Sequence, residues 1–440
     1  MILGMDIVIE GATVVTVDPR RWVLKNHSIA INDGRIVEIA EKITGDAEHV
    51  IDGRGKLAMP GLVNCHTHLP MTLLRGVADD LPLMTWLEDH IWPIEANLNA
   101  NHIRAGSNLG IAEMIRSGTT CFSDMYWHTE TIAGCVEKTG VRAALATPLL
   151  DVMGPDQRGR LLREGESTIK KFKGSDRITP FLGPHAPYTC SEELLLSVKD
   201  LAEKHDVGVH IHVSETEDEV ENLVQSKGMR PFEYLDSLGL LNNRFVAAHC
   251  VWVTENEMEI MKKRGISVVH NPVSNMKIAA GVAPVPRYLE KGINVGLGTD
   301  GAASNNTLDM FEDMKIAALL HKVTSNNAQA VPADAALEMA TIGGARALGL
   351  EGEIGSIEVG KKADIILLDL SAPHLTPLTN PVSHIVYAAR GNDVSHTIVG
   401  GRILMDERDL MTLDEETVAR EAAEQAKDLL EKSKTSDRLF

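Results

Sequence analysis

Hydrophobic positions along this chain follow two different periods. The N-terminal segment is strand-like and rich in β-branched side chains. Its runs are Asp6-Ile7-Val8-Ile9-Glu10, Ala12-Thr13-Val14-Val15-Thr16-Val17 and Ser28-Ile29-Ala30-Ile31. The last run meets Asn32-Asp33-Gly34, a tight-turn sequence, and Arg35-Ile36-Val37-Glu38-Ile39 follows, which predicts a hairpin. His49-Val50-Ile51-Asp52-Gly53 adds a further short strand.

From residue 58 onward short apolar strands alternate with amphipathic helical stretches, the pattern of βαβ units in a parallel sheet. Strands are predicted at 59–66, 119–124, 142–150, 178–184, 207–213, 244–249, 266–270 and 294–299. Helices are predicted at Ile103–Ser117, Glu192–His205, Thr254–Arg264 and Leu308–Lys322, with Gly118 and Gly265 as stop signals. Eight such repeats make the chain an α/β protein with a (β/α)₈ TIM-type barrel. A doubly wound open sheet is the alternative, but no Gly-rich phosphate turn follows any strand.

Beyond the eighth repeat, Pro332–Leu350 reads as a helix, Ile354–Val359 and Lys362–Asp369 as strands, and Ser395–Leu404 as a second hairpin. These strands and the N-terminal ones both need partners. The economical arrangement is a small β-sandwich built from both chain ends, with the barrel inserted between them. The expected partition is 1–57 and 354–410 for the sandwich, 58–353 for the barrel, and 411–440 for a C-terminal helix centred on Asp414–Lys434.

Composition narrows the function. The 440 residues carry a net charge of −19, with no basic concentration to meet phosphate, which argues against nucleic acid and gives no reason to expect an anionic membrane surface. Five scattered cysteines, none in a C-x-x-C pair, fit reduced thiols. With no leader-like segment and no apolar run of membrane-spanning length, a cytoplasmic protein is expected.

The chemistry gathers where such barrels keep it, at the C-terminal ends of the strands. Strand 1 ends in His66-Thr67-His68, and period-two geometry sends both imidazoles to one side. Strand 4 ends at His185, strand 5 carries His210 and His212 and runs on to Glu215, strand 6 ends at His249, strand 7 at His270, and strand 8 at Asp300. Each feature is weak alone; their convergence on one rim is specific. His66, His68, one strand-5 histidine and Asp300 make a three-nitrogen, one-oxygen set that suits Zn²⁺ or Fe²⁺ better than Mg²⁺ or Ca²⁺. His212 is preferred over His210 because it lies nearer the strand end; His210 is expected to pack below the cation as a satisfied core histidine. Glu215 is a candidate proton shuttle, or a cap for the following helix. His249 is a candidate partner of an activated water, or a core histidine.

These residues carry a family resemblance. Pro60–His68, His212-Val213-Ser214-Glu215, His270–Asn275 and Gly298–Asn306 resemble the amidohydrolase superfamily in its mononuclear aminohydrolase branch. Met84-Thr85-Trp86-Leu87 through Ile91–Glu95, and Gly183-Pro184-His185-Ala186-Pro187-Tyr188, resemble the methylthioadenosine/S-adenosylhomocysteine deaminases, including the archaeal 5′-deoxyadenosine deaminases. The resemblance implies one divalent metal per subunit, Zn²⁺ first and Fe²⁺ second, since His185 stands where binuclear members carry a lysine. It implies hydrolytic deamination of adenosine-type nucleosides, with Asp300 taking a proton from water, His249 steadying the nucleophile and Glu215 protonating the ring. It further implies Glu95 on the ribose hydroxyls, His185 on the purine edge, Trp86 against the 5′ group, and Arg160, or equally Arg158, on a homocysteine carboxylate. A homotetramer is implied as well. The alternative on the same fold is a deaminase or hydrolase of a free base or triazine, such as guanine or cytosine, for which a ribose clamp has no purpose.

Overall fold

A computed structural model describes residues 5–152 and 154–433. Residues 1–4 of the expected N-terminal unit, and Lys434 with 435–440 of the expected C-terminal helix, lie outside the described residues.

The eight predicted barrel strands are Leu62–Thr67, Thr119–Met125, Arg142–Leu149, Ile178–Pro184, Gly208–Val213, Phe245–His249, Ser267–His270 and Asn294–Leu297. Each pairs in parallel with the next in chain order. The ring is drawn shut by Asp300 N–H donating to His66 O at 2.9 Å. Asn64 reinforces it, donating to Thr299 Oγ1 at 2.8 Å and accepting from Thr299 N at 3.0 Å. Nearly every strand residue is buried because helices cover the outer face and side chains fill the inner one, which is why these strands read as continuous apolar runs.

Local sequence sets the helix ends. Ser191, Thr216 and Thr254 accept from the backbone three residues on, capping the helices Glu192–His205, Glu217–Lys227 and Glu255–Arg264. Gly265 closes the last of these in the left-handed conformation at φ 72°.

Strands from both chain ends form one continuous sheet. Its path runs Asp409–Leu410, Arg402–Asp406, Val394–Val399, Ile365–Asp369, Lys56–Pro60, Met5–Val15, Val23–Asn32, Arg35–Ala40, with Ala47–Asp52 added in parallel to Met5–Val15. Ile7, Ile9, Ile29, Ile31, Ile365, Leu367 and Ile398 build its separate core. Both predicted hairpins are present, turning between Asn32 and Arg35 and between Val399 and Arg402.

Three expectations change. The run 59–66 is two strands, because Lys56–Pro60 pairs with Ile365–Asp369 in the small sheet and the barrel begins at Leu62. Gly61 is the pivot: a Cβ there would stand 2.1 Å from the Thr120 side chain. Pro332–Leu350 is two helices, Ala333–Met339 and Ile342–Ala347, broken at Thr341 (φ −132°, ψ −98°). Ile354–Val359 is not a strand; Ile354 and Ile357 are buried, so their apolar character marks packing without a ladder.

The contacts that tie the units together include a buried ion pair and the last helix. Arg142 at the start of the third barrel strand makes a buried bidentate pair with Asp364 of the small sheet, at 2.9 and 3.1 Å. The helix Glu415–Lys432 lays Val418, Ala422, Leu429 and Leu430 inward, and its Asp428 meets buried His102 at 2.7 Å. Among the described residues no helix is long and apolar enough to cross a membrane.

Candidate metal centre and active site

Strands 1, 5, 6 and 8 of the barrel deliver His66, His68, His212, His249 and Asp300 to one rim. His66 and His68 bring Nε2 to 3.4 and 3.3 Å from Asp300 Oδ1. His212 Nε2 lies 3.3 Å from His68 Nε2. Two overlapping sets, His66/His68/Asp300 and His66/His212/His249, each bring their ligand atoms within 4.8 Å of one another.

The residues fit a cation. His68 presents Nδ1 to Met125 O at 2.8 Å, and His212 presents Nδ1 to His185 O at 2.6 Å. A carbonyl only accepts, so both rings carry a proton on Nδ1, and Nε2, turned inward, is the nitrogen each can offer to a cation. His66 Nε2 is fully buried and has no hydrogen-bond partner, an orphan that a cation would satisfy. Both carboxylate oxygens of Asp300 are held: Ser274 and Ser304 donate to Oδ2 at 2.7 and 3.0 Å, and Gly301 N–H donates to Oδ1 at 2.8 Å, the oxygen that also faces the histidines. Burial opposes the Asp300 charge, but His66, His68 and His249 outweigh it and hold the carboxyl well below the usual carboxylate range. Asp300 and His249 both sit at positive φ, 64° and 70°, a strained backbone that the surrounding bonds hold in place.

The acid–base residues stand beside this set. Glu215 is buried, and burial raises its carboxyl above the ordinary value; His249 pulls the other way and Asp300 adds to the rise. His249 lies 3.7 Å from Glu215 and presents Nδ1 to Asn275 Oδ1 at 2.8 Å. Burial works against its charge, but Glu215 and Asp300 raise its pKa overall. A carboxyl biased toward its protonated form beside a histidine is the arrangement general acid–base work uses. Glu219 fixes the backbone under Glu215, its two oxygens accepting from Ser214 N at 3.0 Å and Glu215 N at 2.8 Å.

The residues expected to handle a substrate are placed unevenly. The His185 ring centroid is 4.9 Å from that of His212. Half-buried Glu95 accepts from Tyr126 Oη at 2.5 Å, and the Tyr126 ring is 6.2 Å from His68, so Glu95 reaches the rim through Tyr126. Trp86 is buried in the apolar packing beside Leu87 and Ile91. Arg160 lies exposed on the helix Pro155–Phe172 and makes no ion pair among the described residues, whereas Arg158 is held by Asp151 and Glu193.

Residues 57–404 match the amidohydrolase family. The chain belongs to the amidohydrolase family. The 5′-deoxyadenosine deaminase of Methanosarcina acetivorans is 48% identical over 427 residues, covering 97% of this chain and 98% of that one. The protein of the same name from Methanothermobacter thermautotrophicus is 51% identical over 409 residues, covering 92% and 95%. An adenosine deaminase from Xanthomonas campestris, crystallised with bound zinc, superposes with a TM-score of 0.94 at 38% identity, covering 97% of this chain and 99% of that one.

The rim of this amidohydrolase is legible in its sequence, but the residues that hold it are not. Ser274, Ser304, Asn275, Glu219 and Tyr126 received no role. Ser274 and Asn275 stood inside a quoted motif, and Ser304 in another; Glu219 resembles any first-turn helix glutamate, and Tyr126 any aromatic after a strand. Only the three-dimensional contacts separate them from ordinary capping and packing residues.

Proposed function

We propose that the protein hydrolytically deaminates adenosine-type nucleosides, 5′-deoxyadenosine first among them, to the inosine-type product and ammonia. What supports this is Glu95, a half-buried carboxylate that accepts from Tyr126, whose ring lies 6.2 Å from that of His68 in the His/His/His/Asp set. A carboxylate there can accept both hydroxyls of a ribose, which a free base or triazine lacks. The relatives named 5′-deoxyadenosine deaminase support the same reading.

His66, His68, His212 and Asp300 would hold one divalent cation per chain, zinc first, which when bound supplies the acidity that makes water nucleophilic near neutral pH. Asp300, steadied by Ser274 and Ser304, accepts a proton from the attacking water. His249, fixed by Asn275, hydrogen-bonds that water and aims it at carbon 6 of the purine. Glu215 gives its proton to ring nitrogen N1, which makes carbon 6 electrophilic. It then receives the proton passed on from the water and delivers it to the departing amine. The C–N bond breaks and ammonia leaves; the second water proton, still on the carbon 6 oxygen, passes to Glu215 as the carbonyl forms, so the carboxyl is protonated again.

His185 bonds the purine edge, Trp86 shapes the 5′ end, and Arg160 is the cation for a homocysteine carboxylate. A homotetramer, which the family resemblance implies, and a cytoplasmic location are part of the proposal.

The test is Glu95→Ala. It raises KM for nucleosides by about tenfold or more, the worth of a charge-assisted bond. An unchanged KM for nucleosides, or turnover of guanine or cytosine surpassing that of nucleosides, would instead support the free-base alternative.

A further inference from the structure

His66 differs from the other inward imidazoles in what holds it. His68, His212 and His249 each offer Nδ1 to an oxygen: Met125 O, His185 O and Asn275 Oδ1. His66 Nδ1 instead meets His210 Nε2 at 3.0 Å, and His210 Nδ1 meets Ser123 Oγ at 3.0 Å. His66, His210 and Ser123 are completely buried.

A contact between two imidazole nitrogens carries one proton and can be satisfied in either direction. A cation removes that freedom. His66 Nε2, buried without a hydrogen bond and 3.4 Å from Asp300 Oδ1, must be bare to serve as a ligand, so the His66 proton then sits on Nδ1. His210 Nε2 must then accept, which places the His210 proton on Nδ1 and directs it to Ser123 Oγ. An imidazolium at position 210 would set one N–H against another.

We propose that His210 is a positioning residue for the metal centre, selecting the His66 tautomer that turns a bare Nε2 toward Asp300, with Ser123 as the terminal acceptor. The inference rests on the metal-centre reading above. It gives His210 a second role beyond the core packing expected of it. It also explains why the strand carries histidine twice, two residues apart: one imidazole faces the cation and the other orients the imidazole across the barrel.

The test is zinc affinity of the full-length protein, measured by competition with a chromophoric chelator, with the thermal midpoint of each metal-free form recorded alongside. His210→Phe leaves the His66 Nδ1–H without an acceptor and weakens zinc binding about 10- to 100-fold, the range for partners behind a ligand. His210→Gln, whose amide oxygen can accept from His66, recovers most of the wild-type affinity. Ser123→Ala weakens binding in the same direction by less. Wild-type affinity in folded His210→Phe, or His210→Gln no better than His210→Phe, overturns the inference while leaving the metal centre intact. Should His210→Phe fail to fold, Ser123→Ala with unchanged affinity overturns it equally. A wild-type protein that takes up no zinc defeats the metal-centre reading and this inference together.

Discussion

Glu215 concentrates the residue-scale account. Its carboxyl is raised by burial and stands 3.7 Å from His249, whose own pKa rises in the carboxylate field. Glu215→Gln keeps the shape and removes the transferable proton. It lowers kcat by roughly 10²- to 10⁴-fold while zinc content and KM stay near wild type, read by steady-state kinetics and metal analysis. Tyr126→Phe loses the bond that orients Glu95 and raises KM for nucleosides by about tenfold with a smaller change in kcat.

Glu219 makes a pH prediction. Burial raises its carboxyl to about 7 from a model-compound value of 4.5. A raised folded pKa gives a contribution present in full below the unfolded value and lost as pH climbs through the folded one. Wild-type stability therefore contains a falling step between about pH 4.5 and about pH 7 that Glu219→Gln lacks, visible in denaturant titrations across that window. Ligand types were legible in the sequence because metal chemistry restricts them to a few residues at strand ends. Ser274 and Ser304 were not legible as supports of Asp300, because a serine hydroxyl fits almost any loop and only contact gives it a role.

At the scale of elements, strand 8 presses against strand 1. A Cβ at Gly298 would stand 2.8 Å from His66 N and 2.9 Å from His66 Cβ, so Gly298→Ala has to move the strand that carries two ligands. It costs roughly 1–3 kcal/mol of stability and weakens zinc binding in the same variant, measured by denaturant unfolding and chelator competition. Strand and helix positions were readable because buried parallel strands and capped amphipathic helices have distinct periods. The division at Gly61 was not, since residues on both sides of it are buried and apolar and only pairing assigns them to different sheets. Likewise the burial of Ile354 and Ile357 imitates a strand without the backbone pairing that defines one.

In the whole molecule the barrel rests on a sheet drawn from both chain ends, and Arg142 with Asp364 is the buried charge pair across that junction. Arg142→Met leaves Asp364 uncompensated and costs about 3–5 kcal/mol, whereas the double variant Arg142→Met/Asp364→Leu recovers much of the loss. Thermal unfolding of the two variants separates a structural pair from one that is dispensable. The need for partners at both chain ends made this architecture legible, since strands at either terminus had no other mates in the sequence.

One reaction at one centre is the central claim. The direct measurement is ammonia release from 5′-deoxyadenosine, methylthioadenosine, S-adenosylhomocysteine and adenosine, beside guanine and cytosine, on a sample whose metal content is determined at the same time. Release is expected from the nucleosides, 5′-deoxyadenosine foremost, in proportion to about one divalent metal per chain, abolished by chelation and restored by zinc. A fully metal-loaded sample silent on every nucleoside, or one active only on the free bases, would contradict it.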